Sequence, residues 1–131
     1  MCDENSHETN DKWIEIAEKI RIIYDEALNY HPQFDGYEKG TEIKQADTIL
    51  IGYPLQFPMN ESTRRNDLNF YVAATRKSGP AMTYSMFAIN YLDIGDKSDA
   101  NRMLERSYKP FIRQPFNVWS EVDEGDEFAG N

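Results

Sequence analysis

A chain of 131 residues has room for one domain, and 40% of it is apolar, which is ordinary for a globular protein. The net charge of -9 repels phosphate backbones and anionic lipid surfaces, so neither nucleic acid nor a membrane is an expected partner. A single cysteine and the lack of a long apolar run argue against an internal disulfide and a membrane span.

The start of the chain is polar and acidic, the opposite of a secretory signal peptide. We expect residues 1–11 to be a disordered end and residues 12–131 to form one domain. If Met1 begins the protein, this start predicts a cytoplasmic location. From Lys12 onward, apolar residues recur at helical spacing, which predicts a first amphipathic helix; they are Trp13, Ile16, Ala17, Ile20 and Ile23.

The next two segments are harder to assign. Residues 29–41 hold two glycines, a proline and three aromatic rings, which predicts a loop that packs on something or holds something. Residues 42–53 fit a helix, although residues 48–51 alone fit a buried strand. We predict a helix because the rest of the chain is helical, with Pro54 and Pro58 ending it.

Three further helices are expected. Residues 62–76 form the third, and the fourth begins near Pro80 and should be buried all round, with Gly95 just beyond its end. The fifth opens at Lys97 or Ser98. No strand-turn-strand pattern is evident. The fold class is therefore all-α, with about five helices that fit either a free-standing bundle or part of an α/α toroid.

The sequence offers no pattern for a metal or a cofactor. It has no glycine-rich phosphate loop and no Cys/His zinc pattern, and His31 is expected to be a surface or packing residue. A calcium loop starting at Asp93 fails, because Ser98 and Leu104 stand where that loop needs glycine and glutamate. We therefore expect no cofactor and no metal.

An acidic residue near the end of the chain is a candidate for chemistry. Glu121 follows Trp119, and a carboxylate beside a tryptophan can lie in an apolar environment that also stacks sugars. Glycosidases need two carboxylates across the scissile bond. On the residues alone, the alternative that Glu121 belongs to a solvated acidic tail is favoured.

Six sequence segments that occur in one colinear order favour a catalytic role for Glu121 instead. This series resembles glycoside hydrolase family 65, which includes acid trehalases and the kojibiose and maltose phosphorylases, over roughly residues 12–131. The segments are His31-Pro-Gln-Phe-Asp-Gly-Tyr37, Lys44-Gln-Ala-Asp47, Gly52-Tyr-Pro54, Arg64-Arg-Asn-Asp-Leu68, Gly79-Pro-Ala-Met-Thr83 and Pro115-Phe-Asn-Val-Trp-Ser-Glu121.

The resemblance implies part of an (α/α)6 barrel and an inverting mechanism that releases a terminal α-glucosyl residue. Within the family, the branch most similar to this chain acts on the glucosyl-galactosyl-hydroxylysine unit of collagen-type substrates, so a carbohydrate of that kind is the implied substrate. By the same resemblance, Lys44 and Gln45 bind substrate and Glu121 is the general base. Their structural alternatives are a solvated lysine and a helix-capping glutamine. The loop around residues 34–37 is expected to border the pocket.

Two departures from the family pattern bear on activity. Residues 82–85 replace the small-residue phosphate loop of the phosphorylase branch, which favours water as the nucleophile. The family's general-acid glutamate lies upstream of Lys44, beyond the first residue of this chain. We therefore expect a fragment that is inactive alone, because about five helices cannot close a barrel of twelve. The alternative is a non-catalytic helical relic or an acidic interaction module.

Overall fold

The computed structural model describes residues 4–121, the first six of them as backbone only. In this range the chain is mostly helical, as predicted, with two 3-10 helices and a two-stranded antiparallel hairpin, β1 and β2, that was not predicted. The elements are α1 (Glu4–Lys19), a 3-10 helix (Thr48–Ile51), α2 (Glu61–Ala74), α3 (Met82–Asp93), α4 (Lys97–Tyr108), a 3-10 helix (Lys109–Phe111), β1 (Ile112–Arg113) and β2 (Val118–Trp119).

The first helix differs from the prediction at both ends. It begins at Glu4 rather than Lys12, so residues 4–11, predicted to be a disordered end, form its first turns, and it stops at Lys19 before Ile23. Every described side chain of α1 is exposed, and Trp13 keeps 65% of its surface in contact with solvent. The apolar stripe of α1 therefore has no partner within residues 4–121.

The other three helices follow the prediction closely, because their ends carry local signals. The side chain of Asn60 accepts a hydrogen bond from the Thr63 N–H at the start of α2, and that of Asp96 does the same for Asp99 in α4. Gly95 takes a φ of +77°, as its expected place after α3 requires. Half of the residues of α3 are buried, but Met82, Leu92 and Asp93 are exposed, so the helix is not buried all round as predicted.

The core lies between α3, α4 and the apolar face of α2. It is rich in aromatic rings, and the residues with the least exposed side chains include Tyr71, Tyr84, Phe87, Tyr91, Met103 and Phe111. Burial of these large side chains is the main stabilising contribution, at about 1.5–3 kcal/mol each.

Among the described residues, no helix combines the length and the apolar composition that a bilayer-spanning segment needs.

The predicted helix over residues 42–53 is wrong. Only the single 3-10 turn at Thr48–Ile51 is helical, and Ile43 instead forms a parallel bridge with Thr75. The Ile43 N–H donates to the Ala74 carbonyl, and the Ile43 carbonyl accepts from Arg76. Because both backbone groups of Ile43 are used by the end of α2, they cannot enter a helical ladder.

Candidate functional site

Lys44 and Gln45 lie in a bend, and not in the helix that was predicted over residues 42–53. Lys44 is exposed and Gln45 is half-buried. On one side the bend is anchored by the bridge at Ile43. On the other, the Ala46 N–H donates to the Thr83 hydroxyl at 3.4 Å. Thr83 is fully buried in the first turn of α3, so the bend is held against the beginning of that helix.

Gly79 allows this bend to approach α3. A Cβ atom at Gly79 would overlap the backbone carbonyl of Lys44 and would lie 3.1 Å from the Arg76 carbonyl. Only glycine fits a backbone approach this close, because backbone atoms cannot rotate away as a flexible side chain can. The Gly79 position thus sets how near Lys44 comes to the turn that precedes α3.

Glu121 reaches the same place from the other end of the chain. Its carbonyl oxygen accepts a 2.8 Å hydrogen bond from the N–H of Ala81, the N-cap residue of α3. The preceding residue, Ser120, is buried, and its N–H donates to the Phe111 carbonyl at 2.8 Å. These two backbone hydrogen bonds fix the chain at Glu121, whose side chain is half-buried.

The three predicted site residues therefore converge on the start of α3. Two segments that are about 75 residues apart in sequence contact Ala81 and Thr83, which belong to one turn. Within residues 4–121, no hydrogen bond or ion pair engages the side chains of Lys44, Gln45 or Glu121. The backbone segments that carry an ammonium group, an amide and a carboxylate thus meet at this place. We call this arrangement the α3 site.

The loop over residues 29–41, which carries three aromatic rings, contacts the segment that contains Lys44 through a polar contact. The Gln33 amide donates to the Asp47 carboxylate at 2.9 Å, which joins the loop to the segment that carries Lys44. Phe34 and Tyr37 meet edge to face at 5.4 Å, and Tyr37 also contacts Tyr71 near the end of α2. Burial raises the pKa of Tyr37, so its hydroxyl stays neutral. That the loop borders the pocket remains a prediction.

A buried histidine–aspartate pair, His31 and Asp67, was not predicted from the sequence. His31 Nδ1 and Asp67 Oδ2 are 2.7 Å apart, and the other oxygen of Asp67 accepts from the His31 backbone N–H at 2.7 Å. The Tyr71 hydroxyl donates to the His31 carbonyl. His31 is thus a buried packing residue, as expected, but with its ring fixed in direction. Spacing could not reveal this pair, because the two residues are 36 positions apart.

A surface groove of about 320 Å³ lies beside this pair. We call it the His31 groove; its lining residues are Ile22, Tyr24, His31, Phe57, Pro58, Met59, Asn60 and Thr63. It lies at the first turn of α2, whereas the α3 site contacts the last turn. Within the part of the chain that the structure describes, no group of three or more metal-ligating side chains forms a cation site.

The chain is similar in sequence to several characterised glycosidases. It is 48% identical to the protein-glucosylgalactosylhydroxylysine glucosidase of Danio rerio over 113 residues, 86% of this chain and 17% of the relative. It is 38% identical to a periplasmic/secreted acid trehalase of Candida glabrata over 130 residues, 95% and 10% of the two chains. With the kojibiose hydrolase of Mucilaginibacter mallensis it shares 32% over 115 residues, 86% and 17%.

These similarities place the chain among the glycoside hydrolases. More specifically, it belongs to glycoside hydrolase family 65, as its ordered motifs indicated. No family model matches the sequence. The chain spans about a sixth of the length of the glucosidases that it matches.

Proposed function

We propose that this chain is part of a glucoside-hydrolysing (α/α)6 barrel, and that it supplies the residue that activates the attacking water. The observation that carries the proposal is the meeting of the Lys44–Gln45 bend and Glu121 at the first turn of α3. In a helical barrel, side chains at one end of the inner helices can surround a sugar. The extensive burial of α3 supports its place as an inner helix of such a barrel.

In this proposal, Lys44 and Gln45 hold hydroxyl groups of the terminal glucosyl residue, and Glu121 removes a proton from the attacking water. Water attacks the anomeric carbon from the face opposite the leaving group, and a general acid protonates the departing oxygen. That acid would come from a region of the longer relatives that this chain does not match. The substrate is an α-glucoside of the glucosyl-galactosyl-hydroxylysine kind, as the names of the most similar relatives suggest.

The local structure also supports water over phosphate as the nucleophile. The Thr83 hydroxyl already contacts the Ala46 N–H, and the Ser85 hydroxyl donates to the Met82 carbonyl at 2.7 Å. The Tyr84 hydroxyl donates to the Arg76 carbonyl at 3.1 Å, so all three hydroxyls of the segment that replaces the phosphorylase loop are engaged within the protein. The exposed apolar stripe of α1 agrees with a partial barrel, since a self-sufficient helical module would cover it.

The test is the Glu121→Gln substitution in a full-length family protein that contains this chain. Glutamine keeps the size of the side chain but cannot accept the proton, so we expect kcat to fall about 10²–10⁴-fold with KM changed little. Glucose release from glucosyl-galactosyl-hydroxylysine is the assay. NMR of the first product should show β-glucose, the inverted anomer.

The matched control is Glu105→Gln, which changes an exposed acid on α4 and should leave kcat and KM unaltered. Near-normal turnover by the Glu121→Gln protein would exclude Glu121 as the base. Absence of glucosidase activity in the unmodified full-length protein would favour the alternative of a non-catalytic relic.

A further inference from the structure

The His31 groove is separate from the α3 site. Thr63, in the first turn of α2, lines the groove. Ala74, at the end of α2, accepts a hydrogen bond from Ile43, which precedes the Lys44–Gln45 bend. The two residues are eleven positions apart in α2, which corresponds to about 17 Å along the helix. A ligand in the groove would therefore not occupy the place assigned to the scissile glucoside.

One nitrogen of the buried histidine is open to this groove. His31 is only 4% exposed, and its Nδ1 is held by Asp67. Nε2 has no hydrogen-bond partner among the described residues, and it is not among their fully buried side-chain atoms that lack a partner. Since His31 lines the groove, we infer that Nε2 keeps its contact with solvent there. In the neutral imidazole, a proton on Nδ1 is the one that Asp67 can accept, so the lone pair then lies on Nε2.

The walls of the groove supply aromatic surface and one further polar atom. The His31 ring lies 5.2 Å from the Tyr24 ring and 6.3 Å from the Phe57 ring. The Asn60 oxygen is used by Ser62 and Thr63, whereas the Asn60 amide nitrogen has no partner among the described residues. The groove thus combines ring faces, a hydrogen-bond acceptor and a hydrogen-bond donor.

The lining contains no lysine, arginine, aspartate or glutamate. An anionic ligand would find no lysine or arginine there, and the chain as a whole carries a charge of -9, which repels anions further. A purely apolar ligand would remove water from Nε2 without replacing the hydrogen bond, which disfavours such a ligand. The chemistry that satisfies every feature is a neutral ring with apolar C–H faces and hydroxyl groups at its edge.

We propose that the His31 groove is a second binding site for a neutral sugar ring, independent of the proposed catalysis. The sugar stacks its C–H face on Phe57 or Tyr24. One hydroxyl donates to His31 Nε2, and another oxygen accepts from the Asn60 amide. Asp67 acts behind the site by holding the imidazole in the orientation that keeps Nε2 toward the ligand.

The experiment is a titration of the isotope-labelled 131-residue chain with maltose, followed by NMR. We expect saturable shifts of the His31 Nε2 resonance and of the Asn60 side-chain amide. Phe57→Ala removes a half-exposed ring and should weaken the apparent Kd about three- to tenfold. Asn60→Asp keeps the helix cap but removes the amide donor, and should weaken binding by a similar factor.

Two controls separate this site from the proposed active site. Phe116→Ala removes an exposed ring from the β1–β2 turn and should leave the Kd unchanged, and so should Glu121→Gln. Loss of the shifts on Glu121→Gln would overturn the proposal, and so would Phe57→Ala and Asn60→Asp chains that bind maltose as tightly as the unmodified chain does. So would tighter binding of gluconate, an anionic analogue, than of maltose.

Discussion

At the scale of single residues, the approach of Lys44 to α3 depends on the missing side chain of Gly79. Gly79→Ala would place a methyl group against the Lys44 carbonyl, so either the bend or the turn before α3 must move. Overpacking of this kind typically costs about 1–3 kcal/mol. We expect the free energy of unfolding to fall by that amount, measured by urea denaturation with circular dichroism.

The neighbouring Ser78→Ala substitution adds no atom and serves as the control, with an expected change within about 0.5 kcal/mol. Equal stability of the Gly79→Ala and Ser78→Ala chains would show that the close approach of Lys44 to this turn does not exist. Loss of stability in the Gly79→Ala chain alone would support the arrangement of the α3 site.

At the scale of elements, one aspartate joins two helices. Asp96 caps α4 by accepting from the Asp99 N–H, and it pairs with Arg65 of α2 at 2.9 Å. The backbone hydrogen bond from Asp99, with help from Arg65, holds the pKa of the Asp96 carboxyl below its ordinary value of 3.8. A depressed pKa means that the stabilisation is complete above about pH 4 and is lost as the pH falls through the folded-state pKa.

The corresponding test compares the chain with its Asp96→Asn variant at pH 7 and pH 3. Asparagine can still cap α4, but it does not pair with Arg65, so the variant should be the less stable protein at pH 7. The difference in unfolding free energy should shrink at pH 3. Asp35→Asn, in the exposed loop, should show no such pH dependence. A difference that stays constant between the two pH values would contradict the account of Asp96.

At the scale of the whole molecule, the elements that depend on local sequence signals were predicted well, and those that depend on long-range contacts were not. Helices α2, α3 and α4 follow from their periodicity and from caps such as Asn60 and Gly95, which act within a few residues. The predicted helix at residues 42–53 failed because Ile43 pairs with a backbone about 30 residues away. The β1–β2 hairpin has strands of two residues, which are too short to show alternation.

In the candidate site, too, some features could be predicted from the sequence and others could not. Lys44, Gln45 and Glu121 were predicted as site residues from a resemblance between ordered motifs, whereas composition alone favoured a solvated tail for Glu121. Their meeting at α3 could not be predicted, because it depends on hydrogen bonds between backbone groups that any residue carries. The His31–Asp67 pair was missed for the related reason that a single histidine and a single aspartate form no motif.

The convergence of the α3 site can be measured directly by NMR of the labelled 131-residue chain. The hydrogen bond from the Ala81 N–H to the Glu121 carbonyl should give a through-hydrogen-bond coupling between the Ala81 nitrogen and the Glu121 carbonyl carbon. We predict that cross-peak, together with slow hydrogen exchange at the Ala81 amide. Fast exchange at Ala81 and no coupling to Glu121 would contradict the claim that Glu121 is held beside the Lys44–Gln45 bend.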